Sequence, residues 1–395
     1  MKFTLKQIIN YCTKINKRVE KGEDVNEIAD LIIKFENPEF IYRFALYVKG
    51  APIDKLADAI INLAKEYELT DNTQRERTYP NLTYLTQFAR YVKGAPIEKL
   101  ADELCTYGAY GADEYVNFAR DVKGAPIEKL ADATMNVGHF NLLERFGKEV
   151  KNAPLDKITD KYISKLCYAA LEPGELAEDI IHYAKTVRKA PVEKLTKCII
   201  DYGTSEDIYN YALNEKRADM EKLASAVIRK GEVRYIQSFA RNVKNAPVEK
   251  LADGLITKLN RKLEYDLPTG YPSREIYTFA RYVKDAPIEK LADELIKIIE
   301  DYNDKKETAE LVESYSKNFG FNASTDKEIS EFPINEVAKD ICNFGINIEG
   351  APIEKLADAL LTTNNTKQII RFAQQAPNAP TAKMMNYVEE LNNVM

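Results

Sequence analysis

The sequence predicts an all-α fold, a right-handed-type α-solenoid of about twelve two-helix repeats. Three observations predict it. The phrase "FARYVKGAPIEKLADEL" at Phe88 returns as "FARDVKGAPIEKLADAT" at Phe118 and "FARYVKDAPIEKLADEL" at Phe279. The alanine of its "AP" pair recurs at Ala51, Ala95, Ala125, Ala153, Ala190, Ala246, Ala286, Ala351 and Ala379, and the steps Ala125–Ala153 and Ala351–Ala379 are 28 residues. Apolar residues sit at helical spacing on both sides of that pair, as Ile41, Phe44, Ala45 and Val48 before it and Ile53, Leu56, Ala57 and Ile60 after it.

The chain opens on an N-terminal capping unit, residues 1–35. "TLKQ" offers a Thr4–Gln7 capping box, and "EDVNEIADLI" puts Glu23 in register 28 residues before Ala51. In each following unit the first helix stops at a residue suited to positive φ: Gly50, Gly94, Gly124, Asn152, Asn245, Asp285, Gly350 and Asn378 fill that slot. Lys189 and Arg217 break the rule and are expected to be strained or to use another turn. The proline after the alanine is expected at the first position of the second helix, where its missing N–H costs nothing. Asp54, Glu98, Glu128 and Glu193 then face the positive end of that helix.

Two weaker copies complete the count. "YALNEKRADMEKLASAV" places Ala218 midway between Ala190 and Ala246, and "ASTDKEIS" places Ala323 28 residues before Ala351. Longer steps are insertions before the "FAR" half, such as "TDNTQRERTYPN" (Thr70–Asn81) and "EYDLPTGYPS" (Glu264–Ser273). Residues 366–395 form the C-terminal capping unit. Helices this short are marginal alone, so stability must come from stacking on neighbours, which makes 1–395 one elongated array.

Tandem pairs of short antiparallel helices resemble HEAT-like α-solenoids over nearly the whole chain, with a shorter unit. The "FAR-x-VK-GAPIEKL" wording is similar to short helical repeats in phage and Firmicutes proteins of unassigned role. That resemblance implies a binding scaffold, in its narrower form a phage-type inhibitor or sequestering protein, and supplies no catalytic residue.

Composition agrees with a well-filled core: 45% of residues are hydrophobic and 30% charged. A net charge of −6 argues against a general nucleic-acid or anionic-membrane binder. Five cysteines without metal spacing suit a reducing cytosol, and no stretch has the length of a signal or span, so a cytoplasmic location is expected. The only histidines are His139 and His182, and HExxH, P-loop and GxSxG patterns are absent; no enzyme, cofactor or metal is expected.

Function is expected at the surface of the first helices. One residue before the repeated phenylalanine and three after it form an i, i+4 pair beside the core. The pairs run Arg43–Tyr47, Gln87–Tyr91, Asn117–Asp121, Arg145–Glu149, His182–Thr186, Asn210–Asn214, Ser238–Asn242 and Thr278–Tyr282, then Ser314–Asn318, Asn343–Asn347 and Arg371–Gln375. Their identities vary while the framework letters hold. Either they satisfy hydrogen bonds between repeats and face water, or they contact a partner. A protein partner is expected first, and a single-stranded nucleic acid second, in the form of an RNA or a nucleotide read through this variable polar strip. Two basic columns, Arg90, Arg120, Lys148 and their kin and Lys49, Lys93, Lys123, Lys151 and theirs, offer either a phosphate-tracking stripe or, the preferred reading, ion pairs with second-helix acids such as Asp58, Asp102, Asp132, Asp253 and Asp293.

Overall fold

The computed structural model describes residues 5–69, 80–168, 175–265, 272–319 and 334–394. Within them the chain is helical and contains no strand. The helices form consecutive pairs: α1 (Leu5–Val19) with α2 (Val25–Ile33), α3 (Pro38–Tyr47) with α4 (Ile53–Leu69), α5 (Pro80–Tyr91) with α6 (Ile97–Leu104), α7 (Ala112–Asp121) with α8 (Ile127–Val137), and α9 (Phe140–Glu149) with α10 (Leu155–Tyr168). They continue as α11 (Glu175–Thr186) with α12 (Val192–Tyr202), α13 (Ser205–Asn214) with α14 (Met220–Lys230), α15 (Val233–Asn242) with α16 (Val248–Tyr265), and α17 (Pro272–Tyr282) with α18 (Ile288–Phe319). The last are α19 (Ile334–Asn347) with α20 (Ile353–Thr362) and α21 (Thr366–Gln375) with α22 (Thr381–Val394).

The chain divides into two compact units, Met1–Leu171 with Asp179–Leu195 and Glu172–Glu178 with Thr196–Met395. In the first, α3 packs on α1 and α5, α5 on α7, and α7 on α9; α4 packs on α2 and α6, and α8 on α10. In the second, α15 packs on α13 and α17, α17 on α19, and α19 on α21; α14 packs on α16, and α20 on α18 and α22. Inside each unit, then, first helices stack on first helices and second helices on second helices, the nearest-neighbour packing of a repeat protein.

The core is the repeated phenylalanine. Phe44, Phe88, Phe118, Phe146, Phe239, Phe279, Phe344 and Phe372 have no solvent exposure, and Leu56, Leu100, Leu130, Leu251, Leu291 and Leu356 of the second helices are equally buried. Burying a side chain of this size contributes roughly 1.5–3 kcal/mol, which offsets what the short helices lack on their own. Tyr183 and Tyr211 take the phenylalanine position in two repeats, and each hydroxyl finds a buried threonine: Thr159 Oγ1 at 2.9 Å and Thr196 Oγ1 at 3.3 Å.

The tight turn follows the sequence closely. Gly50, Gly94, Gly124, Asn152, Asn245, Asp285, Gly350 and Asn378 all have positive φ, between 56° and 83°. Lys189 and Arg217 do not, so these turns avoid strain by another conformation. At Arg217 the turn keeps its backbone bond, from Ala218 N–H to the Glu215 carbonyl at 3.2 Å, and adds a clamp: the Arg217 backbone N–H and Nε donate to Glu215 Oε1 at 3.0 and 2.9 Å, and Nη2 donates to Oε2 at 2.7 Å. The prolines sit one residue earlier than expected. Pro96, Pro126 and Pro352 are N-caps with ψ of 80–81°, and their carbonyls accept the first intrahelical bonds, from Leu100, Leu130 and Leu356. Glu98 still falls in the first turn.

Two connections differ from the simple repeat. Between α6 and α7 the extra residues form a 3-10 segment, Cys105–Gly111, kinked at Gly108 (φ 53°), whose carbonyl accepts from the Tyr115 hydroxyl at 2.7 Å. The unit expected at Ala323 has no break where its first helix should begin. Instead α18 runs unbroken from Ile288 to Phe319, and α17 packs directly on α19. The sequence permits it: neither glycine nor proline interrupts Ile288–Phe319. The Thr4–Gln7 box, "ASTDKEIS" and most of the Thr70–Asn81 and Glu264–Ser273 insertions lie outside the described residues. No described helix is long and apolar enough to cross a membrane.

Candidate partner-binding strip

In most of the i, i+4 pairs the two members occupy different environments. The inner member, one residue before the phenylalanine, is half-buried at Arg43, Gln87, Asn117, Arg145, Asn210, Ser238 and Thr278. His182 is the exception and is exposed. The outer member is exposed at Tyr47, Tyr91, Asn214, Asn242 and Tyr282, and half-buried at Asp121, Glu149 and Thr186. Helix geometry explains the split: adjacent first helices close over the inner side and leave the outer side to water.

Inner residues work mainly within the scaffold. Asn117 Nδ2 donates to Glu114 Oε1 at 3.2 Å. Arg145 pairs with Asp113 and lies 3.6 Å from Glu149. The Arg43 guanidinium lies over the Tyr42 ring at 4.9 Å, with its Nε 4.0 Å from Glu39. His182 Nε2 approaches Glu144 Oε2 at 3.3 Å, and the Tyr162 hydroxyl donates to the other oxygen of that carboxylate at 3.0 Å.

Outer residues divide by chemistry. Acids are neutralised by the preceding arginine column: Asp121 accepts from Arg90 at 2.9 Å and Arg120 at 2.8 Å, and Glu149 accepts from Arg120 at 2.7 Å. The hydrogen bond from Arg120 holds the Asp121 carboxyl below its ordinary range. Asn242 Nδ2 donates to the Tyr209 hydroxyl of the neighbouring repeat at 2.8 Å, and Asn214 Nδ2 folds back on the Asn210 carbonyl at 2.9 Å. The tyrosines project. Tyr47, Tyr91 and Tyr282 are 40%, 50% and 50% exposed. Arg90 lies 4.9 Å from the Tyr91 ring centre, and Arg241 and Arg281 lie 5.1 and 5.6 Å from that of Tyr282, while both tyrosines stay half exposed.

The ladder of ion pairs exists, but its cations are not the ones expected. Second-helix acids pair with the lysine of the next second helix. Lys99 meets Asp58, Lys129 meets Asp102, Lys290 meets Asp253, and Lys157 reaches Glu128 at 2.6 Å. Lys194 reaches Asp160 at 2.6 Å and Lys250 reaches Glu221 at 2.9 Å. Arg90 and Arg120 of the first column turn instead to the strip's own acids. Lys49, Lys93, Lys123 and Lys151 of the second column stay exposed and have no ion pair among the described residues. Sequence alone did not separate these lysines, because repeat spacing fixes only the column and the cross-repeat register decides which column meets the acids.

Among the described residues no cluster of His, Cys, Asp and Glu is arranged to hold a metal ion. A hollow of about 460 Å³ in the first unit is an open polar notch lined by Asp58, Lys65, Lys99, Asp102 and Glu103, whose charges are already paired across it. No protein-family model matches the chain, and no curated protein matches it.

Proposed function

We propose that the chain is a non-enzymatic binding scaffold that engages a protein partner through the outer row of its first helices. The observation that carries this is the contrast within most pairs. Inner residues, His182 apart, are half-buried against the scaffold, whereas Tyr47, Tyr91 and Tyr282 stand in water on an otherwise repetitive framework. Tyrosine offers a large rigid contact area at small entropic cost and is enriched where proteins meet. An inhibitor or sequestering protein of phage type is the narrower form of the same proposal. The test replaces Tyr47, Tyr91 and Tyr282 together by alanine and compares partner capture with that of the wild-type chain. Capture is expected to fall while far-UV circular dichroism is unchanged; undiminished capture contradicts the reading.

A further inference from the structure

We propose that Lys49, Lys93, Lys123 and Lys151 form a docking row for an acidic, extended segment of the partner protein. The assignment rests on the scaffold reading above and names the chemistry of the partner at its edge.

The four lysines occupy equivalent positions. Each follows one of the stacked helices α3, α5, α7 and α9 and precedes the positive-φ residue of the tight turn, at Gly50, Gly94, Gly124 and Asn152. All are exposed, and none has an ion pair or side-chain hydrogen bond among the described residues. In the same repeats Lys55, Lys99, Lys129 and Lys157 are each bound to a carboxylate of the preceding second helix.

The acids that share the edge are already engaged. Glu98 lies 3.4 Å from Lys129, Glu128 2.6 Å from Lys157, and Asp156 3.3 Å from Lys194. Asp121 and Glu149 are held by Arg90 and Arg120. Asp54 alone among them has no described ion pair. The edge thus keeps four lysine charges with no ion pair among the described residues on a chain whose net charge is −6.

Spacing narrows the partner. Stacked helices lie roughly 8–10 Å apart, so the lysines recur at about that interval. A polyproline-II segment rises about 3.1 Å per residue with three residues per turn, so carboxylates at every third position recur on one face at about 9 Å. One acidic side chain then meets one lysine per repeat, and the exposed rings of Tyr47 and Tyr91, two residues before Lys49 and Lys93, cover the residues between. A phosphodiester strand fits less well: its phosphates recur about every 3.4 Å along a duplex strand, so most fall between lysines roughly 8–10 Å apart.

The test uses the full chain and a fluorescent peptide bearing glutamate at every third position, titrated by anisotropy at low salt. K49Q/K93Q/K123Q/K151Q is compared with K55Q/K99Q/K129Q/K157Q, which removes the same charge from paired positions, and with the four-arginine version of the first set. Affinity is expected to fall about tenfold or more in the first variant, less than about twofold in the second, and to persist with arginine. Circular dichroism verifies that each variant is folded. Equal losses in both glutamine variants, or no binding by the wild-type chain, overturn the proposal. So does tighter, row-dependent binding of an oligothymidylate, which would assign the row to single-stranded nucleic acid. Row-dependent self-association in sedimentation would assign it to a second copy and likewise overturn it. Retained capture by the tyrosine variant, with peptide binding still dependent on the row, removes the tyrosine strip but leaves the lysine row standing.

Discussion

Lys355 Nζ lies 2.6 Å from Glu289 Oε1 and 3.1 Å from Asp293 Oδ1, across 66 and 62 residues of chain. The equivalent contact of Lys129, with Glu98 and Asp102, spans 31 and 27 residues. Ser273 Oγ likewise donates to Asp340 at 2.7 Å across 67 residues. The chain between Asn303 and Phe332 is thus additional to an ordinary hairpin-to-hairpin connection. Replacing residues 304–331 by a short Gly-Ser linker is expected to move the thermal midpoint by less than about 4 °C, equivalent to about 1 kcal/mol. Loss of a cooperative transition in differential scanning calorimetry would contradict this.

Tyr183 and Thr159 are fully buried and bonded hydroxyl to hydroxyl at 2.9 Å, where other repeats pair phenylalanine with alanine, as Phe118 and Ala101 illustrate. Tyr183→Phe and Thr159→Ala are each expected to cost about 1 kcal/mol, since each strands a buried polar atom. The double variant restores the apolar combination and is expected within about 0.5 kcal/mol of wild type. Urea unfolding of the four proteins checks it; additive losses would mean the hydroxyls act independently.

Gly345 follows the core Phe344, where most repeats carry alanine. A methyl group built there would lie 2.3 Å from Cε2 of the fully buried Phe372. Gly345→Ala gains up to about 1 kcal/mol of helix propensity but overpacks the core at a cost of about 1–3 kcal/mol. The variant is expected to be less stable in urea despite the better helix former.

Glu215 and Asp340 predict opposite pH signatures. The hydrogen bond from Arg217 holds Glu215 below the ordinary glutamate range, so its contribution is complete above that range and is lost as pH falls through the lowered value. Burial pushes Asp340 above the ordinary aspartate range, against the opposing Ser273 bond. Stability from that group is therefore fully present below the ordinary range and lost as pH rises through the raised value. Glu215→Gln is expected to be less stable than wild type near about pH 7, and Asp340→Asn more stable, with both differences shrinking toward about pH 3. Urea midpoints across that interval check both signs.

Much of this fold is legible because the repeat writes its stops in backbone chemistry. Gly50, Asn152 and Asp285 are readable as positive-φ positions, and the proline after them as a helix start, since few residues suit those conformations. The Ala323 unit misled because a 28-residue step and an "EIS" resemblance say nothing about whether the preceding helix ends, and α18 does not. The strip's two columns were legible, but not their inequality. Whether Arg145 is half-buried and Tyr91 exposed depends on how neighbouring helices close over one flank, which is a property of packing. For the same reason the free lysines beside the tight turns and the paired lysines of the second helices look alike in one dimension.

Contact through the outer row of the first helices is tested most directly by site-specific photo-crosslinking. A benzophenone side chain is placed at position 91, where Tyr91 projects, or at position 99, where Lys99 belongs to the paired ladder, and each protein is irradiated in native cell lysate. A discrete crosslinked protein from position 91 and none from position 99 is the predicted result. A crosslink from position 99 with none from position 91 would contradict the assignment.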